Sequence, residues 1–347
     1  MAWIHVKEDM RLASALYASA AGRVPLQRLA VFAATPDHLV PLGIIAGGAV
    51  LAWLCRDFPA ALPFWAPWDF SWVEFLAAAL GLWWYARGVA LTPTAEQPSA
   101  WRHASFAVGV MLIYAVLQTH YDYMAQHMFF LNRLQHLIMH HLGPFLIALA
   151  WPGASVRRAM PAPLGRLVEN RRLLRVVRWV QQPIVGAPLF VGLIDLWLIP
   201  AVHFRAMIDH QLYEVMNFSM VADGLLFWCL VLDPRPSPPA RVSFPVRMIT
   251  VVAVMFPQII LGSYIAFASR DLYTFYDLCG RLFPSMGALN DQHLGGLIIW
   301  IPASMMSSAA FMLVLNNLRR HEESIPPPEL TEAQQRLVVL SSRWTGR

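Results

Sequence analysis

The sequence predicts an all-α fold, a polytopic transmembrane helix bundle of about eight spans, or seven if the first is peripheral. Three observations lead there. The chain of 347 residues is 57% hydrophobic and only 14% charged, whereas soluble globular domains carry about 25% charged residues. Its apolar residues gather into stretches near 20 residues, the length a helix needs to cross a bilayer core of about 30 Å. Its basic residues, one Lys and 25 Arg, fall unevenly between alternate connections. This composition excludes a disordered chain. Three Cys exclude a disulfide framework.

Residues 1–36 show no cleavable leader pattern and are expected to be cytoplasmic, with Met10 to Ala21 as a candidate interfacial helix. Residues 37–317 form the transmembrane domain. The expected spans are 37–55, 72–90, 102–120, 133–151, 183–202, 214–232, 246–268 and 293–316. The second is rich in Trp, Ala and Leu around Trp83 and Trp84. The fourth is the most polar, with His136, His140 and His141. The fifth and sixth carry Asp195 and Asp223, intramembrane carboxylates that are proton partners, metal partners or helix–helix hydrogen bonds. Residues 318–347 form a polar cytoplasmic tail interrupted by Pro326, Pro327 and Pro328, with a short helix restarting near Thr331.

Orientation follows from the arginines. With the N-terminus in the cytoplasm, 21 basic residues lie inside and 5 outside: Arg56, Arg133, Arg205, Arg270 and Arg281. That asymmetry is the positive-inside pattern, and it places both termini in the cytoplasm. The net charge of +5 is then an orientation record and implies no nucleic-acid partner. The run from Arg157 to Arg178 is expected to anchor at anionic lipid headgroups.

On this topology eight of the 12 His lie at or near the outer side: His120, His127, His136, His140, His141, His203, His210 and His293. His136 and His140 are one turn apart on one helix face. Met124, Met128, Met139, Met207, Met216 and Met220 are close in sequence. Imidazole with thioether suits copper, Cu(I) in particular. A lone interfacial His is often only a hydrogen-bonded polar group, and Met in an apolar helix is usually packing. The convergence of several His is what makes a metal site the sharper reading. The candidate ligands are His136, His140, His141, His203 and His210, with His127, Met139, Asp291, Gln292 and His293 as further lining. No HExxH, GxSxG or Walker-type loop is present, so no hydrolytic or nucleotide chemistry has a carrier and no enzyme is expected. No haem is expected, since outside the fourth span no span interior carries a His.

The stretch from Leu134 through His136, Gly143 and Pro144 to Gly153 resembles the Gln-His helix of the CtaG-like cytochrome c oxidase assembly proteins, the multi-spanning kind associated with caa-type oxidases. Ser105, Phe106 and Gly109 are similar to the family's Ser-Phe…Gly helix start. Gly224 to Trp228 and Asp291 to Pro302 resemble two further family segments, and the ordered set covers roughly residues 70–318. Leu198 stands where the family often has a His, and Asn217 stands near another such place. The resemblance implies an assembly role for a haem–copper oxidase, with copper insertion from the outer face. The implied partners are oxidase subunits, membrane lipid and a periplasmic copper donor. It carries His136 over as a site residue, and with it His210, Asp291 and Gln292. A metal-free scaffold for oxidase subunits is a second reading, and a membrane di-iron histidine-cluster enzyme a third.

Overall fold

The computed structural model describes residues 39–325, and every regular element among them is helical. The expected N-terminal interfacial helix and the helix near Thr331 lie outside the described residues. We number the helices α1 Leu39–Asp57, α2 Trp72–Ala90, α3 Ala100–Gln118, α4 His120–His127, α5 Phe129–Ala150, α6 Gly153–Ala159 and α7 Ala162–Val168. They continue with α8 Arg171–Val180, α9 Pro183–Leu198, α10 Pro200–Ile208, α11 His210–Val231, α12 Phe244–Ala266, α13 Phe275–Cys279 and α14 Ala288–Glu323.

Five of these, α1, α3, α11, α12 and α14, are long and apolar enough to cross a membrane. Two bent pairs bring the number to seven: α5 with α6, turning by 77°, and α8 with α9, turning by 75°. The remaining expected span is present as the helix α2, but Glu74, Arg87 and its three Trp keep its hydropathy below that of the others. The described residues therefore hold five to seven candidate spans, against the eight expected. α14 also runs to Glu323, past the expected end of its span near residue 316.

Both bends have local causes. After α5, Trp151 takes a left-handed conformation (φ 52°) and is followed by Pro152 and Gly153. Between α8 and α9, Gln182 is extended and Pro183 has no N–H to carry the helix through. α8 sets Arg171, Arg175 and Arg178 along one face, while Leu173, Val176 and Trp179 are exposed. Held at 75° to a candidate span, such a helix suits the headgroup plane.

The core forms around α5, α9, α11, α12 and α14. α12 and α14 pack along their lengths, and Gly262 meets Gly296 and Trp300 at their contact. α3 lies on the second half of α5, and α14 lies on its first half. α1 packs chiefly against α2, and most of its surface is exposed. One buried cluster gathers Phe129, Met139, Trp197, Leu198, Met207, Met216, Met220, Tyr273 and Tyr276 at one end. A second gathers Phe145, Phe190, Phe227, Trp228 and Val254 at the other. The histidines of α5 lie where these two clusters meet.

A candidate metal centre around the histidines of α5

α5 is not a regular helix. Leu137–Leu142 form a π-helical turn in which the Gly143 N–H reaches back to the Ile138 carbonyl. Pro144 supplies the reason. It has no N–H to offer the carbonyl four residues back, that of His140. The widened turn absorbs the missing bond, and such turns recur at functional sites. The freed His140 carbonyl faces Gly224 of α11, where a Cβ would collide with it. Glycine at 224 thus lets α11 approach the turn closely.

The turn brings two consecutive His side chains together. The Nδ1 atoms of His140 and His141 are 3.3 Å apart. His140 Nε2 stands 3.0 Å from Asp223 Oδ2 of α11, and His141 Nε2 stands 3.4 Å from Gln258 Oε1 of α12. Phe190 of α9 stacks on the His140 ring at 4.2 Å, and Trp228 lies edge-on to His141. His140, His141, Asp223 and Gln258 are all buried. His140 lies about 16 Å along α5 from Phe129, at 1.5 Å per residue. The pair therefore sits at mid-depth of the helix, away from either end.

His136 occupies different surroundings. It is buried, and neither ring nitrogen has a hydrogen-bond partner among the described residues. It lies within electrostatic range of Arg133, His203 and His140. Arg133 is also buried. It bonds the Asn132 side chain, sits over the Phe129 ring at 5.2 Å, and pairs with no carboxylate among the described residues. His203 has both nitrogens engaged: Nδ1 donates to the Trp197 carbonyl at 3.2 Å, and Nε2 accepts from the Tyr276 hydroxyl at 3.0 Å. Burial, and then the Arg133 charge, hold His203 down at about 3, so the ring is neutral. Burial pushes the Tyr276 hydroxyl up, which keeps it a donor. His203, Phe204, Tyr273 and Phe275 line a cavity of about 250 Å³ on this side of the bundle.

The other expected residues stand apart from this centre. His210 is exposed at the start of α11. His127 bonds the carbonyl of Tyr123 in its own helix at 2.8 Å, and His293 bonds that of Ala268 at 2.9 Å. Asp291 is buried but occupied by the backbone N–H groups of Phe129 and Phe130 and by Arg281, so it fixes the start of α5. Gln292 holds the loop before α13, accepting from Leu272 N–H and donating to the Arg270 carbonyl. Met139 is fully buried among core residues. Asp195 is exposed on the outer face of α9, away from the histidines, whereas Asp223 joins them. Leu198 is buried, and its carbonyl accepts from Tyr273; Asn217 is buried with its Oδ1 unpartnered. Among the described residues no three His, Cys, Asp or Glu side chains are arranged to hold one metal ion.

Sequence reasoning missed Arg133, Gln135, Tyr213 and Gln258. Gln258 was detectable as an amide inside an otherwise apolar helix, where a polar group is costly. Gln135 belongs to a network that no spacing announces. Its Nε2 donates to Asp122 Oδ1 at 2.6 Å and to the Val116 carbonyl at 2.8 Å, while the Tyr213 hydroxyl donates to the same Asp122 oxygen. Burial pushes the Asp122 carboxyl up, opposed by the bonds from Tyr213, Gln135 and Gln126.

These features define a class: a multi-spanning helical membrane protein whose polar groups converge inside the bundle around one irregular helix. Within that class the sequence model of the cytochrome c oxidase caa3 assembly factors (Caa3_CtaG) matches residues 83–321, and the chain belongs to this family. Neither the curated proteins nor the solved structures contain a match to it.

Proposed function

We propose that this chain aids assembly of a haem–copper oxidase by accepting Cu(I) near the periplasmic face of the bacterial inner membrane and passing it to the oxidase. It acts as an assembly factor rather than an enzyme, with oxidase subunits as partners and a periplasmic protein as copper donor. The proposed topology has eight crossings with α2 included and both termini in the cytoplasm. The arginine asymmetry supports it.

Family membership supports the assembly role. The observation that carries the copper reading is the set of buried, under-satisfied donors on and around α5. Both nitrogens of His136 and Oδ1 of Asp223 are buried and lack partners among the described residues. Buried polar atoms are nearly always satisfied, and imidazole-rich surroundings suit copper. Copper here is cargo: it approaches through the cavity beside His203 and reaches the histidines of α5. Copper quantification of the purified protein and of the His136→Ala, His140→Ala double variant tests this. We expect bound copper in the first and loss in the second; equal copper in both sinks the site.

A metal-free scaffold is favoured by one observation, that no three ligating side chains converge among the described residues. A deletion strain separates the two readings. Added copper restores oxidase assembly if the defect lies in delivery, and fails to restore it if the defect lies in scaffolding.

A further inference from the structure

We infer that the ion is held by the paired Nδ1 atoms of His140 and His141, with Asp223 and Gln258 as positioning residues that set the two ring tautomers. This inference rests on the copper-handling reading above and names its ligands. The His136–His203 region is then an approach and not the holding site.

The argument begins with proton bookkeeping. A carboxylate oxygen of Asp223 faces His140 Nε2 at 3.0 Å, so that nitrogen carries the proton and donates. The carbonyl oxygen of Gln258 faces His141 Nε2 at 3.4 Å and likewise calls for a proton there. A neutral imidazole has one N–H, so both Nδ1 atoms are left as bare lone pairs. They face each other at 3.3 Å in a buried site. Two lone pairs so placed repel unless a cation lies between them.

The spacing suits an ion. Metal–imidazole bonds are about 2.0 Å long, so nitrogens 3.3 Å apart reach one ion at a bent angle. Positions on that ion stay open, as cargo requires. The hydrogen-bond pattern is that of metal-ligating histidines, which donate their other N–H to a carboxylate or carbonyl.

Gln258 also explains how the pair rests without an ion. Its Nε2 has no partner among the described residues. Turning the amide by 180° makes Gln258 a donor to His141 Nε2 and moves the His141 proton to Nδ1. That proton then bridges to His140 Nδ1. The proton count of the ring is unchanged, so the switch is a change of tautomer and not of charge.

Charge separates the two halves of the cluster. Asp223 backs the His140–His141 pair, while the Arg133 guanidinium, which meets no carboxylate among the described residues, stands near His136 and His203. In a low-dielectric interior like charges repel strongly, so a cation rests on the Asp223 side. His203 is in addition committed to Tyr276.

The test is Cu(I) competition titration of the full-length purified protein against a chromogenic chelator, with copper K-edge absorption on the loaded samples. Wild type is expected to bind one Cu(I) through two imidazole nitrogens. His140→Gln and His141→Gln are each expected to lose affinity by about 100-fold or more, and Asp223→Ala by about 10–100-fold, the usual cost of removing an outer partner. Asp223→Asn, which can still accept from Nε2–H, should recover part of that loss. Gln258→Glu, an acceptor only, should bind at least as tightly as wild type, and Gln258→Leu more weakly. His136→Gln and His203→Gln should retain wild-type affinity. If wild type binds no Cu(I), the copper reading fails and this inference with it. If wild type binds Cu(I) but His141→Gln binds equally well, or His136→Gln loses as much as His140→Gln, the ligand assignment fails while the copper reading stands.

Discussion

The His140–His141 pair and the His136–His203 pair are both buried, yet they differ in the charged and polar groups set around them. The first rests on a carboxylate and an amide from two other helices, under a stacked Phe190. The second lies beside an arginine that meets no carboxylate among the described residues, and its His203 lines a cavity. On the proposal above, identical side chains thus acquire opposite roles, holding and approach, from their neighbours. Counting imidazoles along a sequence cannot reveal this, because the deciding groups, Asp223, Gln258 and Arg133, are not histidines.

The comparison breaks most severely at Gly224. Gly224→Val places methyl groups where the His140 carbonyl now lies, and overpacking of this kind costs about 3 kcal/mol. The thermal midpoint in detergent should fall sharply, and copper should be lost from the first pair. An unchanged midpoint would mean that α11 does not lean on the π-helical turn.

Pro144→Ala acts more narrowly. It returns an N–H to the His140 carbonyl and favours a regular α-helix through Leu137–Leu142. The step between His140 and His141 then widens from that of a π-turn to the roughly 100° of an α-helix, and the ring nitrogens move apart. Cu(I) affinity should drop about as far as in His141→Gln, while thermal stability changes by no more than about 1 kcal/mol. Retained affinity would detach the turn from the site.

Arg133→Met sharpens the contrast. It removes a buried charge that no carboxylate among the described residues offsets, and apolar replacements for buried charges are often neutral or stabilising by about 1–4 kcal/mol. The midpoint should hold or rise, and a second, weaker Cu(I) equivalent should appear at His136. A stoichiometry still at one would show that the guanidinium is not what keeps the ion from His136.

Tyr276→Phe is the mildest change. It removes the hydrogen bond to His203 Nε2, a loss of about 1 kcal/mol. The thermal midpoint should drop slightly, and copper affinity at the first pair should not change. A large loss of copper would place His203 among the ligands after all.

Much of this was legible before folding. The expected segments all recur as helices because hydrophobic runs near 20 residues have few alternatives in a membrane. The Gln-His stretch and the Gly224–Trp228 stretch, singled out by resemblance, turn out to face each other across the turn at His140. Asp195 and Asp223 looked equivalent as intramembrane carboxylates, yet one is exposed on α9 and the other bonds His140. His210 shared a spacing of seven with His203, but a break at Asp209 ends α10 and begins α11, so the two do not share a helix face.

The sequence by itself determined the helices, their membrane character, the family, and the presence of many imidazoles near one end of the bundle. These depend on local composition and on one-dimensional order. Only the tertiary structure decided which imidazoles meet. That depends on one proline's missing N–H, on the close approach a glycine permits, and on the carboxylate, amide and guanidinium that other parts of the bundle bring to each ring. Their positions in the chain are far apart, and the electric field they set at each histidine exists only once the helices have packed.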